Sequence, residues 1–299
     1  MQTYTSTART IFYDIKLHRQ HAANQRGMTL VELMVGIAIG LLVVAVAMGA
    51  MMISRNVSGT VSDASNIQQQ AAYAMRVIGQ QVRQAGSLYL NLSPGTTTVE
   101  DAYMEPVAFE SKADANGGNA FDPKENTLTG TATSMTVGYR RYAESVYINA
   151  TPISLARNCV GAPGDTSTDM MIEDIFEIEG TKLVCSGNGA DKQPIIDHVA
   201  NAQMRYIVQD ITSTPGNPKT KTVDATAVTS WQQVQAIEVC LVLYGTESID
   251  LPTGSTYTDC DGTTAVDMST LTGERAKRMH LVFRSVFQLR SQGLIGSVL

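Results

Sequence analysis

Basic residues are scarce in this chain of 299 residues, which carries 22 lysines and arginines against 28 acids and a formal charge of −6. A protein that binds nucleic acid needs a basic stripe to neutralise phosphates, so no direct binding of nucleic acid is expected. The sequence also lacks an HExxH motif, a nucleophile elbow and a phosphate-binding loop. We therefore predict no catalytic residue, no cofactor and no enzymatic activity.

The sequence also lacks the residue spacing that is typical of a metal site. The four cysteines include no C-x-x-C pair, which argues against a zinc site. His198 and His280 fall on predicted strands or turns, where a structural, hydrogen-bonded histidine is the expectation. Asp259 and Asp261 flank Cys260, and we interpret this segment as a turn held by the cysteine rather than as a metal site.

A long apolar segment dominates the N-terminal part of the chain. Residues 33–53 contain no charge and no proline. As a helix, residues 28–54 would extend roughly 40 Å, which is enough to cross a bilayer core of about 30 Å. Glu32 stands at the entrance to this segment. A carboxylate deep in lipid costs on the order of 3 kcal/mol, so its presence there predicts a functional role.

The residues before the apolar segment carry the opposite charge. Residues 1–27 contain four basic side chains and one acid, a formal charge of +3. A basic segment of this kind keeps the N-terminus in the cytoplasm and sends the C-terminal part across the membrane. An ordinary secretory signal is cut after its apolar region, whereas the small residue here, Gly27, precedes it. Cleavage at Gly27 would leave the apolar helix on the mature protein.

The run Gly27-Met28-Thr29-Leu30-Val31-Glu32 resembles the processing site of type IV prepilins. The resemblance implies that a prepilin peptidase cuts between Gly27 and Met28 and methylates the new amine of Met28. Met28 stands where most members of the family have phenylalanine. Glu32 is then the fifth mature residue, and the resemblance implies an ion pair between Glu32 and the amine of the preceding subunit. The alternative is an ordinary single-pass anchor, in which Glu32 is a first-turn acid favoured by the helix dipole.

A predicted amphipathic helix follows the apolar segment, over residues 57–84. Its apolar or small residues recur every three or four positions, which is the period of a helix with one buried stripe. They are Val57, Val61, Ala64, Ile67, Ala71, Met75, Ile78, Val82 and Ala85. We expect a break near Ser58-Gly59 and a C-terminal stop at Gly86. Residues 87–134 are rich in turn signals and predict long loops, including a plain polar loop at 114–119.

The remainder of the chain alternates between apolar and polar residues, which predicts β-strands. The predicted strands cover residues 134–142, 147–153, 174–179, 182–185, 202–209, 234–244 and 279–289. Glu179-Gly180 predicts a tight hairpin between two of them.

Four segments resemble the PilW family of minor pilins, and the first of them also resembles the J-type pseudopilins of type II secretion. They are the helix end at 74–86, the turn and strand at 195–206, the segment 231–243 that starts at Trp231, and the last strand at 278–290. The resemblance implies an α+β, type IV pilin-like fold, in which a long N-terminal helix packs on an antiparallel sheet with long loops. In the family a short helix with a tryptophan precedes the long strand.

The four cysteines, Cys159, Cys185, Cys240 and Cys260, all follow the anchor. An even number in an exported domain predicts disulfides, because that compartment is oxidising. Three pairings are possible. Proximity in sequence favours Cys159 with Cys185 and Cys240 with Cys260, each contributing on the order of 3 kcal/mol by the chain-entropy model.

These observations predict four segments: a cleaved leader at 1–27, a membrane and assembly helix at 28–54, a helical stem at 55–86 and a β-rich domain at 87–299. The resemblance implies a minor type IV pilin that helps to initiate or cap the fibre in motility, adhesion or DNA uptake. Its expected partners are prepilin peptidase, other minor pilins, the major pilin and a tip adhesin. We expect it in the inner membrane, with its C-terminal domain in the periplasm, and afterwards at the pilus tip.

Two alternatives remain open at this point. One is a J-type pseudopilin at the tip of a type II secretion pseudopilus. The other is a membrane-anchored periplasmic binding or enzymatic domain, which would need a pocket with convergent polar groups.

Overall fold

The computed structural model describes residues 27–91, 108–109, 112–115, 117–147, 149–210 and 219–290. The chain divides into two compact units, Met1–Ser54 and Arg55–Leu299. Helix α1 runs from Leu30 to Val82 and supplies residues to both units. In the second unit its C-terminal part packs on antiparallel sheets, so the predicted α+β class is confirmed. The predicted leader, apart from Gly27, lies outside the described residues.

Helix α1 is continuous through Ser58-Gly59, so the predicted break at this point is wrong. One glycine in a helix interior costs only about 1 kcal/mol relative to alanine and removes no backbone hydrogen bond. The helix ends at Val82, and the following turn closes at Gly86, whose φ is 73°. The Gly86 N–H donates to the carbonyl of Gly138 at 2.8 Å, which ties the end of the helix to a strand.

The buried stripe of α1 starts later than its periodicity predicts. From Ile67 onward the stripe is buried as expected at Ile67, Ala71, Ile78 and Val82, and Ala85 is buried in the turn that follows the helix. The predicted Met75 is only half-buried, and its neighbour Ala74 is the buried residue at this turn. Val57 and Val61 were predicted to belong to it, but they are 60% and 65% exposed. No sheet lies against those first turns, so their apolar side chains gain no burial there.

The strands are β1 (Leu90–Asn91), β2 (Ala108–Phe109), β3 (Leu128–Gly130), β4 (Ser134–Arg140), β5 (Glu144–Val146), β6 (Asn149–Ile153), β7 (Met171–Glu179), β8 (Lys182–Gly187), β9 (Ala190–Ile196), β10 (Val199–Asp210), β11 (Lys219–Asp224), β12 (Val234–Tyr244), β13 (Thr256–Thr258), β14 (Ala265–Asp267) and β15 (His280–Gln288). A one-turn helix, α2, spans Pro123–Asn126, and a 3₁₀ turn at Trp231–Gln233 forms the short tryptophan helix implied by the family.

Two larger antiparallel sheets share one core with the stem part of α1. The first has the order β11-β10-β12-β15, and the second has the order β3-β4-β7-β8-β9. The inner face of β12 is fully buried, with Ile237, Val239, Leu241 and Leu243 at most 1% exposed. Gly180, with φ of 61°, forms the predicted two-residue hairpin between β7 and β8.

Strands β5, β9, β11, β13 and β14 were not predicted, whereas β4, β7, β8, β10, β12 and β15 lie within three residues of their predicted bounds. The strand predicted at 147–153 contains β6, which forms a small hairpin with β5. The segment predicted as loops at 87–134 contains β1, β2, α2 and β3, while residues 92–107, 110–111 and 116 of it lie outside the described residues.

Asp63 fixes the start of the stem to the end of β12. This side chain is only 2% exposed, and its Oδ1 accepts hydrogen bonds from the backbone N–H of Thr246 at 2.9 Å and from its hydroxyl at 3.2 Å. Gly245 lies against the same carboxylate, at a distance that leaves no room for a Cβ. This contact was not predicted, because a single aspartate among polar helix residues is usually a solvated side chain.

Gly79 allows the helix to approach β15 closely. A Cβ at Gly79 would lie 2.7 Å from the ring of Phe287, which is 4% exposed. We expect Gly79→Val to lower the free energy of unfolding by about 1–3 kcal/mol, because overpacking displaces a buried ring. The matched change Gly59→Val meets no atom within 4 Å and should stay within about 0.5 kcal/mol. Urea unfolding of the detergent-solubilised protein measures both variants, and equal losses would contradict the close contact.

Candidate functional site

The predicted cleavage bond lies in an accessible, non-helical segment. Gly27 and Met28 precede the first residue of α1, and Met28 is 70% exposed. A Cβ built at Gly27 would meet no other atom within 4 Å. Within the described residues, the fold therefore places no demand on a glycine here.

Thr29 and Glu32 form a capping box at the start of α1. The Thr29 hydroxyl accepts the backbone N–H of Glu32 at 3.3 Å and donates to Glu32 Oε2 at 3.4 Å. The Leu33 N–H donates to the Thr29 carbonyl at 3.1 Å, which is the first bond of the helix. This cap was not predicted, although Thr-x-x-Glu before an apolar run is its usual signature.

Glu32 is the only ionisable side chain among residues 27–54. The capping box and the helix dipole orient its carboxylate and supply about 1 kcal/mol each at most, less than the cost of burying it in lipid. Among the described residues Glu32 has no ion-pair partner. Any ion-pair partner of Glu32 therefore lies outside the described part of the chain.

Within the described residues, the apolar surface of the first unit is uncovered. Its large apolar side chains from Met28 to Ile53 are 49–73% exposed. The most apolar window of α1 has a mean hydropathy of 2.7 and none of it is buried, and the helix is long enough to cross a membrane. A surface of this size is unstable in water, so the helix requires lipid or other apolar helices around it.

The cysteines form two pairs in the second unit, Cys159 with Cys185 and Cys240 with Cys260. The second pair joins β12 to the segment that contains β13 and covers one face of its sheet. The first pair lies beside Asp174, and one ligand atom from each of Cys159, Asp174 and Cys185 lies within 4.8 Å of the others. Because the two sulfurs are bonded to each other, this group does not offer thiolate ligands to a metal.

The burial of Asp174 was not predicted, and its side chain is completely buried. It lies on the inward face of β7 between Ile172 and Phe176, and its Oδ1 accepts the Cys159 N–H at 2.7 Å. Burial raises the pKa of this carboxyl to about 7 from an ordinary value of 3.8, although the Cys159 hydrogen bond acts against the shift. Burial and the nearby Asp174 charge also raise the pKa of Tyr139.

The raised pKa of Asp174 predicts a pH-dependent stability. The folded protein holds this proton between about pH 4 and pH 7, where the unfolded chain has lost it, so its contribution to stability falls as pH rises through that range. From pH 5 to pH 8 the loss should be about 2–3 kcal/mol relative to Asp174→Asn, which cannot ionise. Urea midpoints of both proteins at the two pH values measure this difference, and parallel pH profiles would contradict it.

His198 and His280 have structural positions. His280 is 3% exposed, its Nδ1 contacts the Arg278 carbonyl at 2.9 Å, and its Nε2 accepts a hydrogen bond from Arg275 Nε at 3.3 Å. Burial lowers the pKa of His280, which keeps the ring neutral. His198 has a φ of 61° in a turn, with its ring edge-on to Tyr244.

A cavity of about 800 Å³ lies in the second unit, between the first stem turns and the loop at 247–252. Its charged side chains are Arg55, Glu247, Asp250 and Lys277, and all four are exposed. An enzyme site normally holds buried polar groups that converge on a substrate, and this cavity has none among its described lining residues.

Comparisons with known proteins define the class. The family described as the prokaryotic N-terminal methylation motif matches residues 22–48, and the family described as type IV pilus-assembly protein W matches residues 160–291. With its long N-terminal helix on an antiparallel sheet domain, the chain is a type IV pilin-like, structural protein.

The second match is more specific and covers the first sheet together with strands β7, β8 and β9 of the second, which is less than half of the chain. Together the two matches support a PilW-like minor pilin of the type IV pilus. A type IV-like pilin from Thermus thermophilus is similar in structure at 11% identity, with a TM-score of 0.36 over 74% of this chain and 96% of that one. No curated protein matches the sequence.

Proposed function

We propose that prepilin peptidase cuts this chain between Gly27 and Met28 and methylates Met28. The accessible glycine, the leader charge and the apolar helix support this step. The mature protein then waits in the inner membrane, held by the helix at 28–54, with the β-rich domain in the periplasm. The basic leader supports this orientation.

Assembly then transfers the helix from lipid to a fibre core. The observation that carries this proposal is the combination of an uncovered apolar surface with one carboxylate, Glu32, at its entrance. In the fibre, neighbouring helices would cover the apolar side chains, and the amine of the preceding subunit would neutralise Glu32. Such a pair must form in a dry interior, where a lone charge is strongly unfavourable.

The protein acts at the start or tip of the fibre, with other minor pilins, the major pilin and a tip adhesin as partners. Its length supports this position, because a domain of more than 200 residues with long loops fits poorly into a densely repeating subunit. The two disulfides support a place outside the cytoplasm.

Deletion of the gene tests this function against the type II secretion alternative. We expect loss of surface fibres and of twitching, with protein secretion unchanged, and recovery of both on complementation with the full chain. Loss of exoprotein secretion with normal twitching would assign the protein to a pseudopilus instead. Normal fibres and normal secretion would favour a membrane-anchored binding domain.

A further inference from the structure

The two larger sheets have four edge strands, and three of them carry features that discourage pairing with another chain. Strand β3 has only three residues. Strand β9 contains Lys192 and Pro194, and β11 contains Lys219 and Lys221. Short length, lysine and proline are the usual means of protecting a sheet edge. Strand β15 has nine residues and neither lysine nor proline, so it is the exception.

The outer side of β15 presents unpaired backbone groups. The Leu289 N–H donates to the Gln235 carbonyl at 2.9 Å, which sets the odd-numbered residues of this pair as the ones bonded toward β12. The even-numbered residues therefore direct their N–H and C=O groups away from β12. Within the described residues, β15 pairs with β12 alone. The open groups belong to Val282, Arg284, Val286 and Gln288.

A groove with positive charge lies beside this open edge. It has a volume of about 530 Å³ and is lined by Arg83, Val286, Gln288, Leu289 and Arg290. Val286 is 51% exposed in it. None of the described residues that line it is acidic, although the chain as a whole has a charge of −6.

The arginines of this region differ in whether they form an ion pair with a described residue of the domain. Arg284 pairs with Glu238 at 3.3 Å and donates to the Cys260 carbonyl at 2.9 Å, so its charge is used within the domain. Arg83 and Arg290 have no ion pair among the described residues. Their guanidinium groups are exposed at the edge of the sheet and are available to a carboxylate.

We propose that the open edge of β15 binds an extended segment of another fibre subunit by strand addition. The bound segment carries a carboxylate that faces Arg83 and Arg290 and a small apolar residue that covers Val286. Backbone hydrogen bonds to the even-numbered residues supply the pairing, and the two arginines select an acidic partner. The inference rests on the proposed function, because it takes the partner from the same fibre.

A photo-crosslinking residue at Gln288 of the full-length protein, expressed in cells and recovered with sheared fibres, tests this contact. We expect a crosslink that mass spectrometry maps to an extended, acid-bearing segment of a different subunit. Val286→Pro removes one outward N–H and leaves the bonds to β12 in place, as edge strands tolerate. The crosslink should fall about tenfold in Val286→Pro and remain in Val286→Thr, which keeps the N–H.

A second variant avoids the backbone. Arg83→Glu with Arg290→Glu changes only exposed side chains and should reduce the same crosslink about tenfold by charge repulsion. A crosslink that resists both variants, one that maps only to a second copy of this chain, or no protein crosslink at Gln288 would each overturn the proposal. The number of fibres in a Glu32→Val strain tests the proposed function separately. If that strain loses its fibres while the crosslink persists in both the Val286→Pro variant and the double arginine variant, only the β15 contact is rejected.

Discussion

Glu32→Val is expected to leave the protein in the inner membrane and to reduce surface fibres by about tenfold or more. The substitution removes the only charge among residues 27–54, so insertion into lipid becomes more favourable by on the order of 3 kcal/mol. In the fibre, the amine of the neighbouring subunit would lose its carboxylate. Leaving one member of a buried ion pair unpaired typically costs about 3–5 kcal/mol, more than a tenfold change in an equilibrium requires. Membrane fractionation and counting of sheared fibres measure the two effects.

The capping box makes two controls necessary, because Glu32 both caps the helix and carries charge. Glu32→Gln keeps the cap and the side-chain volume but removes the charge, and should assemble as poorly as Glu32→Val. Thr29→Val removes the hydroxyl of the cap and keeps the charge. It should assemble close to the wild-type level. Normal fibres with Glu32→Gln would exclude the ion pair, and a defect in Thr29→Val alone would assign the role to the cap.

Three strands of the first sheet could be predicted from sequence because their apolar and polar residues alternate regularly. Strand β12 was predicted with its observed bounds, and β10 and β15 within three residues at each end. One face of these strands packs on the stem, which imposes a regular alternation. Strands β9 and β11 were missed because they are exposed edges, where polar residues and proline are tolerated and the alternation disappears.

The start of the buried stripe could not be predicted in the same way. Periodicity shows which side of a helix is apolar, but not where along its length another element lies against it. Val57 and Val61 continue the period of Ile67 and remain exposed, whereas Asp63 is buried because Thr246 supplies two donors. Such a contact joins residues far apart in sequence, and only the folded chain brings them together.

The residues of the candidate site also differ in how far they could be predicted from sequence. Gly27 and Glu32 could be proposed as site residues from sequence because the signal lies in adjacent residues: a leader before them and an apolar run after them. Asp174 had a local signal as well, since it alternates with Ile172 and Phe176 on β7, but its environment includes Cys159 from another segment. The open edge of β15 depends on the order of four strands, which no local pattern specifies.

Gly27→Leu is expected to abolish processing, so that the purified protein retains residues 1–27. The cause lies in recognition by the peptidase, since a Cβ at Gly27 meets no atom of this chain within 4 Å. Folding of the β-rich domain should therefore be unchanged. Fibre assembly should nevertheless fail, because the four basic residues of the uncut leader would have to enter an apolar fibre core. Intact mass spectrometry of the membrane-extracted protein measures the retained leader.

Gly49→Leu is the matched control, because Gly49 also meets no atom within 4 Å and lies in the same helix, far from the cleavage bond. Its leader should be removed as in the wild type. Gly27→Ala should retain measurable cleavage, since alanine adds a single methyl group at the bond. If Gly27→Leu had the mass of the wild-type mature protein, cleavage would not depend on a small residue at position 27. If the wild-type protein itself retained residues 1–27, the apolar helix would carry a bulky cationic extension. In that case its amine could not lie at Met28 beside a neighbouring Glu32, and the proposed ion pair would lose its cation.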